Sequence, residues 1–243
     1  MAFPFGGALL APQYIGWLVD GFITTVTLSA LVSVAALVIG FALCMARLSS
    51  LTPLRWAATG WISLFRNTPL LVQLFVWYFG VSSLLPASLL DAINARPWLA
   101  GEALGLRWPA FELIAGFIGL TLFTAAFMAE EFRAGLAAVP PGQRLAGRAM
   151  GLTETQIWRR ILLPQAWRNA IAPLAGQVMN AVKNSSLLMA IGAAELSYET
   201  RRVEGATFQA FQTFAIATAL YIALIMVIDL AARQLERRKA VLR

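Results

Sequence analysis

Charge vanishes from this sequence for long stretches. Gly21 to Ala46, Asn67 to Leu90, Leu113 to Ala129 and Gly205 to Ile228 hold no Asp, Glu, Lys or Arg. A helix needs about 20 mostly apolar residues to cross a bilayer, with a range of ~17–25, so each stretch predicts a span, the third narrowly. A fifth, from about Asn169 to Ala194, is apolar except for Lys183. The pattern predicts an all-α membrane protein. One transmembrane domain fills residues 1–243, with five transmembrane helices over about 17–46, 67–86, 110–133, 169–190 and 206–232. Five spans put the termini on opposite sides. Residues 1–20 read as an amphipathic lead-in that Pro4 and Pro12 keep from being one helix. That start lacks the basic region and small-residue cleavage site of a signal peptide, so the first span is expected to stay.

Between the third and fourth spans lies a polar, basic insert over about 140–165. It begins at Pro140-Pro141-Gly142 and predicts two short helices in the cytosol. The first, about Gln143 to Met150, ends at Gly151, a residue that takes the left-handed conformation cheaply. The second opens on Thr153-Glu154-Thr155-Gln156, the pattern of a capping box. Its apolar stripe is Ile157, Trp158, Ile161 and Leu162, flanked by Arg159 and Arg160, and Pro164 is expected to stop it. Such a helix can lie on the membrane surface. The paired helices, the glycine hinge and the fixed proline favour a protein-docking element instead.

The charge balance sharpens the topology. The chain carries 19 Lys and Arg against 12 Asp and Glu, a formal charge of +7, with no histidine and one cysteine. The basic residues sit at the ends of apolar runs, which is the pattern of membrane orientation rather than of nucleic-acid binding. With the N-terminus outside, 14 Lys and Arg fall on inner segments and 4 on outer ones. Basic residues are hard to translocate, so the prediction is N-outside, C-inside. Cys44 alone permits no intramolecular disulfide. Without histidine, and without a Ser–Lys or paired-Asp site in the spans, no nucleophile–base constellation can be assembled. No Gly-x-x-x-x-Gly-Lys-Ser/Thr loop occurs either, so this chain should not hydrolyse ATP.

Polar positions inside the spans are few. Gln177, Asn180 and Asn184 share one helix face, with Lys183 beside them. A lysine deep in a bilayer costs about 2.5–3.5 kcal/mol. It therefore faces a wet cavity or a counter-charge, or it ties the helix to its neighbours. Gln73 is a second pathway candidate, with helix packing as its other role. Glu130 and Arg133 fit a local ion pair at the inner membrane edge. Thr24, Thr25, Thr27, Ser29 and Ser33 suit close helix contacts. The outer stretch from Pro86 to Pro109 carries Trp98 and Trp108, suited to the interface.

The insert resembles the EAA loop of ABC-importer permeases. Gly151, nine residues, Ile161, two residues and Pro164 keep that loop's spacing, and Ala146 matches its first alanine. Leu145 stands where the family has glutamate, and Gly147 where it has a second alanine. Phe65-Arg66-Asn67-Thr68-Pro69, Ala126-Phe127-Met128-Ala129-Glu130 and Lys183-Asn184-Ser185-Ser186-Leu187 resemble the polar amino-acid branch, most like the glutamate/aspartate type. The resemblance implies a permease in a bacterial inner membrane that passes a polar, acidic amino acid. It implies an ATPase dimer that binds ATP-Mg, a second permease subunit (a paralogue or the same chain) and an external solute-binding protein. Ala146, Arg148, Gly151, Trp158, Arg159, Arg160, Ile161 and Pro164 become the expected ATPase-coupling residues, with Trp158 and Ile161 as buried anchors and the three arginines meeting acids on the ATPase or phospholipid. Lys183, Asn184, Asn180, Gln177 and Gln73 become the expected substrate pathway. An ion-coupled secondary transporter or channel is the competing reading.

Overall fold

In the computed structural model of the chain, the described residues are 10–95 and 109–240, with side chains through 235. Every regular element among them is helical. The first helix, α1 (Pro12–Arg47), starts earlier than expected because Pro12 occupies its first turn, where a missing N–H breaks no bond. α1 and α5 (Phe111–Ala137) are long and apolar enough to span a membrane, and so is Ala210–Leu235, within α10 (Ala210–Ala240).

The second and fourth expected spans need correction. Residues expected as an inner loop around Pro53 form α2 (Thr52–Arg66), and the chain breaks at Asn67–Pro69 before α3 (Leu70–Leu84). Thr68 precedes a proline, which disfavours helical backbone there. α3 has only 15 residues and contains a π turn, Val76–Gly80, that carries Trp77, Tyr78 and Phe79. The short α4 (Ala87–Asn94) follows. Trp98, Trp108, Arg96, Arg107 and residues 1–9 lie outside the described residues, as does Arg243.

The fourth segment begins far earlier than residue 169. α6 (Gly142–Ala149) leads to α7 (Glu154–Ile157), and a π turn, Trp158–Leu162, joins α7 directly to α8 (Leu163–Ser185). Pro164 therefore does not stop the helix. It sits in the first turn of α8, and the wider turn before it, in which the Leu163 N–H reaches the Trp158 carbonyl, absorbs the lost bond. With Gln165, Arg168, Asn169, Gln177, Asn180, Lys183 and Asn184 along it, α8 is not among the long apolar helices. A 3-10 turn, Ser186–Ile191, ends at Gly192 with φ 84°. The segment expected as an outer loop, Glu195 to Glu204, is α9 (Leu196–Thr207), whose charges hid its helical order.

α5 is the central element. It packs along α1 and along α8. A Cβ on Gly40 of α1 would lie 2.9 Å from the Ala125 carbonyl oxygen of α5. A Cβ on Gly135 of α5 would lie 2.6 Å from the Ala166 oxygen and 2.9 Å from the Ala170 Cβ of α8. Small residues let these backbones touch, as helices surrounded by lipid require. The Asn169 amide adds a bond to the Gly135 carbonyl at 3.1 Å. Leu28, Val32, Leu74, Leu120 and Leu188 form one buried cluster, and Ala36, Cys44, Ile62, Met128 and Ala170 another. At one end Glu130 gathers three arginines: Arg47 directly, Arg133 at 2.8 Å and Arg66 at 3.8 Å. The expected pair with Arg133 is there, but it is one of three.

Because the obstacle at Gly135 is backbone rather than a flexible tip, Gly135→Ala should destabilise the bundle by about 1–3 kcal/mol. A thermal midpoint in detergent unchanged from wild type would show that α5 and α8 separate freely.

Candidate functional site

The insert is built by local signals. Gly151 has φ 75° and turns the chain at the end of α6. The capping box is complete: the Gln156 N–H donates to Thr153 Oγ1 at 3.3 Å and the Thr153 N–H to Gln156 Oε1 at 2.9 Å. α6 leans on the following helix through Gly147, where an added Cβ would lie 2.9 Å from Ile157 Cγ1 and 3.1 Å from Ile161 Cδ1. Gly147 is the one buried residue of the eight in α6. Trp158 and Ile161 are half-buried, and the buried anchors are Ile157 and Leu162. All four residues of the expected stripe pack in one apolar cluster with Val139 and Ala166, Trp158 and Ile161 at its edge.

Charge within the insert is largely self-satisfied. Arg144 Nη2 and Arg148 Nε donate to Glu154 at 2.8 and 2.6 Å. These bonds, that of Arg148 first, hold the Glu154 carboxyl below the usual carboxylate range. Arg144 and Glu154 are ten residues apart, a spacing with no helical meaning, so sequence pattern could not pair them. Arg159 and Arg160 are exposed and make no ion pair among the described residues. Ala146, Leu145 and Met150 are exposed as well.

The pathway candidates separate into two groups. The Gln73 amide donates to the Phe65 and Thr68 carbonyls at 3.0 and 3.1 Å and to Thr68 Oγ1 at 2.7 Å. It braces the break between α2 and α3, the packing alternative. The Gln177 amide donates to Glu131 Oε1 at 2.9 Å and ties α8 to α5. Asn180 and Lys183 are exposed, Asn184 is half-buried, and none makes a side-chain bond among the described residues. Together with Ala172, Pro173 and Gly176 they mark a free face of α8 that is small and polar.

Spanning helices, a self-braced polar insert and a spanning-length helix with a bare polar face define a multi-pass membrane permease. Residues 36–241 match the family described as "Binding-protein-dependent transport system inner membrane component", and the chain belongs to it. The probable glutamine ABC transporter permease protein GlnM of Bacillus subtilis (strain 168) is 35% identical over 219 residues, 90% of this chain and 91% of GlnM. The glutamate/aspartate import permease protein GltJ of Escherichia coli (strain K12) is 32% identical over 235 residues, 97% of this chain and 90% of GltJ. A crystal structure of an amino acid ABC transporter with histidines matches with a TM-score of 0.78 at 27% identity, covering 93% of this chain and 95% of that one. The MetNI methionine ABC transporter in an inward-facing form shares the fold, with a TM-score of 0.73 at 21% identity over 94% of this chain and 99% of that one. The resemblance read from the motifs is borne out. This is a permease subunit of an amino-acid ABC importer, a non-catalytic inner-membrane component whose ATPase is a separate subunit.

A depressed carboxyl pKa stabilises the folded insert at neutral pH, and that contribution is lost as pH falls through the depressed value. Amide exchange over 142–150 should therefore speed up, relative to the rest of the chain, below the carboxylate range. Glu154→Gln should speed that exchange about 1.5- to 5-fold at neutral pH, as expected for exposed ion pairs, and remove the extra pH dependence. Unchanged exchange in that variant at neutral pH would show that the two arginines do not hold α6.

Proposed function

We propose that this chain translocates a polar, acidic L-amino acid delivered by an external binding protein, as one of two permease subunits driven by an ATPase dimer. The observation that carries the reading is the free face of α8. Lys183 and Asn180 stand exposed on a helix of spanning length. Against lipid a bare lysine costs about 2.5–3.5 kcal/mol. A second permease subunit over this face, with a wet path between the two, removes that cost and places Lys183, Asn184 and Asn180 on the route. An acidic cargo gives Lys183 a charge partner. The 32% identity to GltJ supports that cargo, while the 35% identity to GlnM supports glutamine as the alternative.

In this reading the domain runs over 1–243 with five crossings, the N-terminus outside. The second crossing is α3 with the end of α2, and the fourth is α8 with its 3-10 turn. The convergence of Arg47, Arg66 and Arg133 at one end supports that end as the inner one. The insert over about 140–165 docks the ATPase through the exposed surface of α6, with Arg159 and Arg160 free to meet acids there. Leu145 in place of the family's glutamate makes the centre of that contact apolar.

ATP-driven uptake of labelled glutamate, aspartate, glutamine and arginine into proteoliposomes holding the whole complex tests this. Uptake of the acidic pair should depend on the ATPase. Lys183→Ala should lower it about 10- to 100-fold, as expected for a lost hydrogen bond to a charged group. Uptake that proceeds without the ATPase would support an ion-coupled transporter and sink the reading. Glutamine uptake that ignores Lys183→Ala would remove the acidic assignment and the role of Lys183 together.

A further inference from the structure

A cavity of about 450 Å³ opens between the Ser186–Ile191 turn, α9 and α10. Ligand pockets typically hold about 300–1,000 Å³. Its wall is largely apolar, with Leu187, Met189, Phe214 and Ala217, but Ser197 and Arg201 share one face of α9 and Thr218 and Tyr221 one face of α10, so both helices bring polar groups to the same space. Ser186 completes the wall, one turn beyond Lys183. The cavity thus adjoins the free face of α8. A second hollow, between α1 and α5, differs in kind. Its described wall holds no charged side chain, and its Thr24 and Thr27 hydroxyls are bonded to their own helix, as those of Ser186 and Thr200 are in the first.

The few polar groups of this cavity include a cation, Arg201, and they lie against a buried carboxyl. Behind its floor lies Glu195, fully buried and in no ion pair among the described residues. Its carboxylate accepts the Tyr221 hydroxyl at 2.8 Å, the Tyr198 N–H at 2.9 Å and Thr25 Oγ1 at 3.4 Å. Tyr221 and Ser197 hydroxyls are 3.0 Å apart. Since Tyr221 donates to Glu195, its oxygen presents lone pairs to Ser197 and to the cavity, with the buried Glu195 carboxyl behind it, whose pKa burial pushes above the usual range. At the rim, Arg201 is mostly exposed, 3.7 Å from Glu204 and 5.6 Å from the Phe214 ring centroid. An exposed pair that long contributes little, so Arg201 can exchange Glu204 for another carboxylate. The other charged side chains of α9 are engaged elsewhere: Arg202 pairs with Glu199 at 3.3 Å and covers the Trp17 ring.

The geometry points to a site for the zwitterionic head group of an α-amino acid. Arg201 takes the α-carboxylate, and the Ser197 and Tyr221 oxygens above Glu195 take the ammonium. The side chain lies toward Ser186 and the face of Lys183. A cationic rim and a floor of hydroxyl oxygens over a buried carboxyl suit a head group that carries a carboxylate and an ammonium together, and neither simple anions nor amines satisfy both. The inference rests on the amino-acid importer reading and deepens it: the head group is held here, and Lys183 sees the side chain.

The test uses the reconstituted complex with its ATPase, and the binding protein is added only for transport. Thr218→Cys, made with Cys44→Ala, should react with a maleimide, and L-glutamate or L-glutamine should slow that reaction without binding protein present. γ-Aminobutyrate, which lacks the α-carboxylate, should not. Arg201→Ala should abolish the protection and lower transport kcat about 10- to 100-fold. Arg201→Lys should restore part of both, and Tyr221→Phe should weaken protection. Transport by wild type with no protection at Thr218→Cys overturns this site and leaves the importer reading standing. A KM for loaded binding protein that rises in Arg201→Ala while kcat and protection hold moves Arg201 to the docking surface and also overturns it. A wild-type complex that transports no amino acid overturns both readings.

Discussion

Lipid offers no hydrophobic reward for bringing two helices together, so close contact must hold this bundle. α5 supplies that contact on both flanks. Gly40 rides against Ala125, and Gly135 against Ala166 and Ala170, each with backbone where a Cβ would go. Around these contacts the larger side chains fall into place. Leu120 is fully buried among Leu28, Val32 and Leu74, and Met128 among Ala36, Cys44 and Ile62. Polar ties then fix the register, from Asn169 to Gly135 and from Gln177 to Glu131. Both run between α5 and α8, the helix that carries the polar face.

That helix also joins the insert to the membrane bundle without a break. A proline at 164 would ordinarily end a helix, because it lacks the N–H and crowds the preceding turn. The π turn at Trp158–Leu162 widens the backbone just before it, and the axis continues into α8. No flexible joint separates Glu154 from Lys183: one unbroken axis runs from the second helix of the insert to the polar face of α8.

The apolar spans were legible because 20 uncharged residues have few alternatives in water. The capping box and Gly151 were legible for the same kind of reason, since both satisfy local backbone demands within four residues. What escaped was non-local or masked by polarity. α9 carries Glu199, Arg201, Arg202 and Glu204 on a helix of twelve residues, and its charge reads as loop. α2 carries a stripe at helical spacing, Ala58, Ile62 and Phe65, but Ser49, Ser50 and Pro53 ahead of it read as loop. The stop expected at Pro164 failed because the compensating π turn has no sequence signature. Of the site, Lys183, Asn180 and Asn184 were visible as polar letters in an apolar run. The Glu195–Tyr221 bond, across 26 residues, was not.

The two acidic centres outside the core show how charge is divided between holding and working. Glu130 sits among Arg47, Arg66 and Arg133, and Glu154 between Arg144 and Arg148. In both, guanidinium outnumbers carboxylate, so positive charge remains after the pairing. At Glu130 the surplus lies where α1, α2 and α5 end together, which anchors that end against an interface rich in phosphate. At Glu154 the pairing spends the arginines nearest α6 on the insert's own shape. The exposed surface around α6 is therefore left to Leu145, Ala146 and Met150, with Arg159 and Arg160 exposed on the next helix and in no ion pair among the described residues. The bonds of Glu154 and the close seat of Gly147 on Ile157 set the position of α6 against the next helix from within the insert itself.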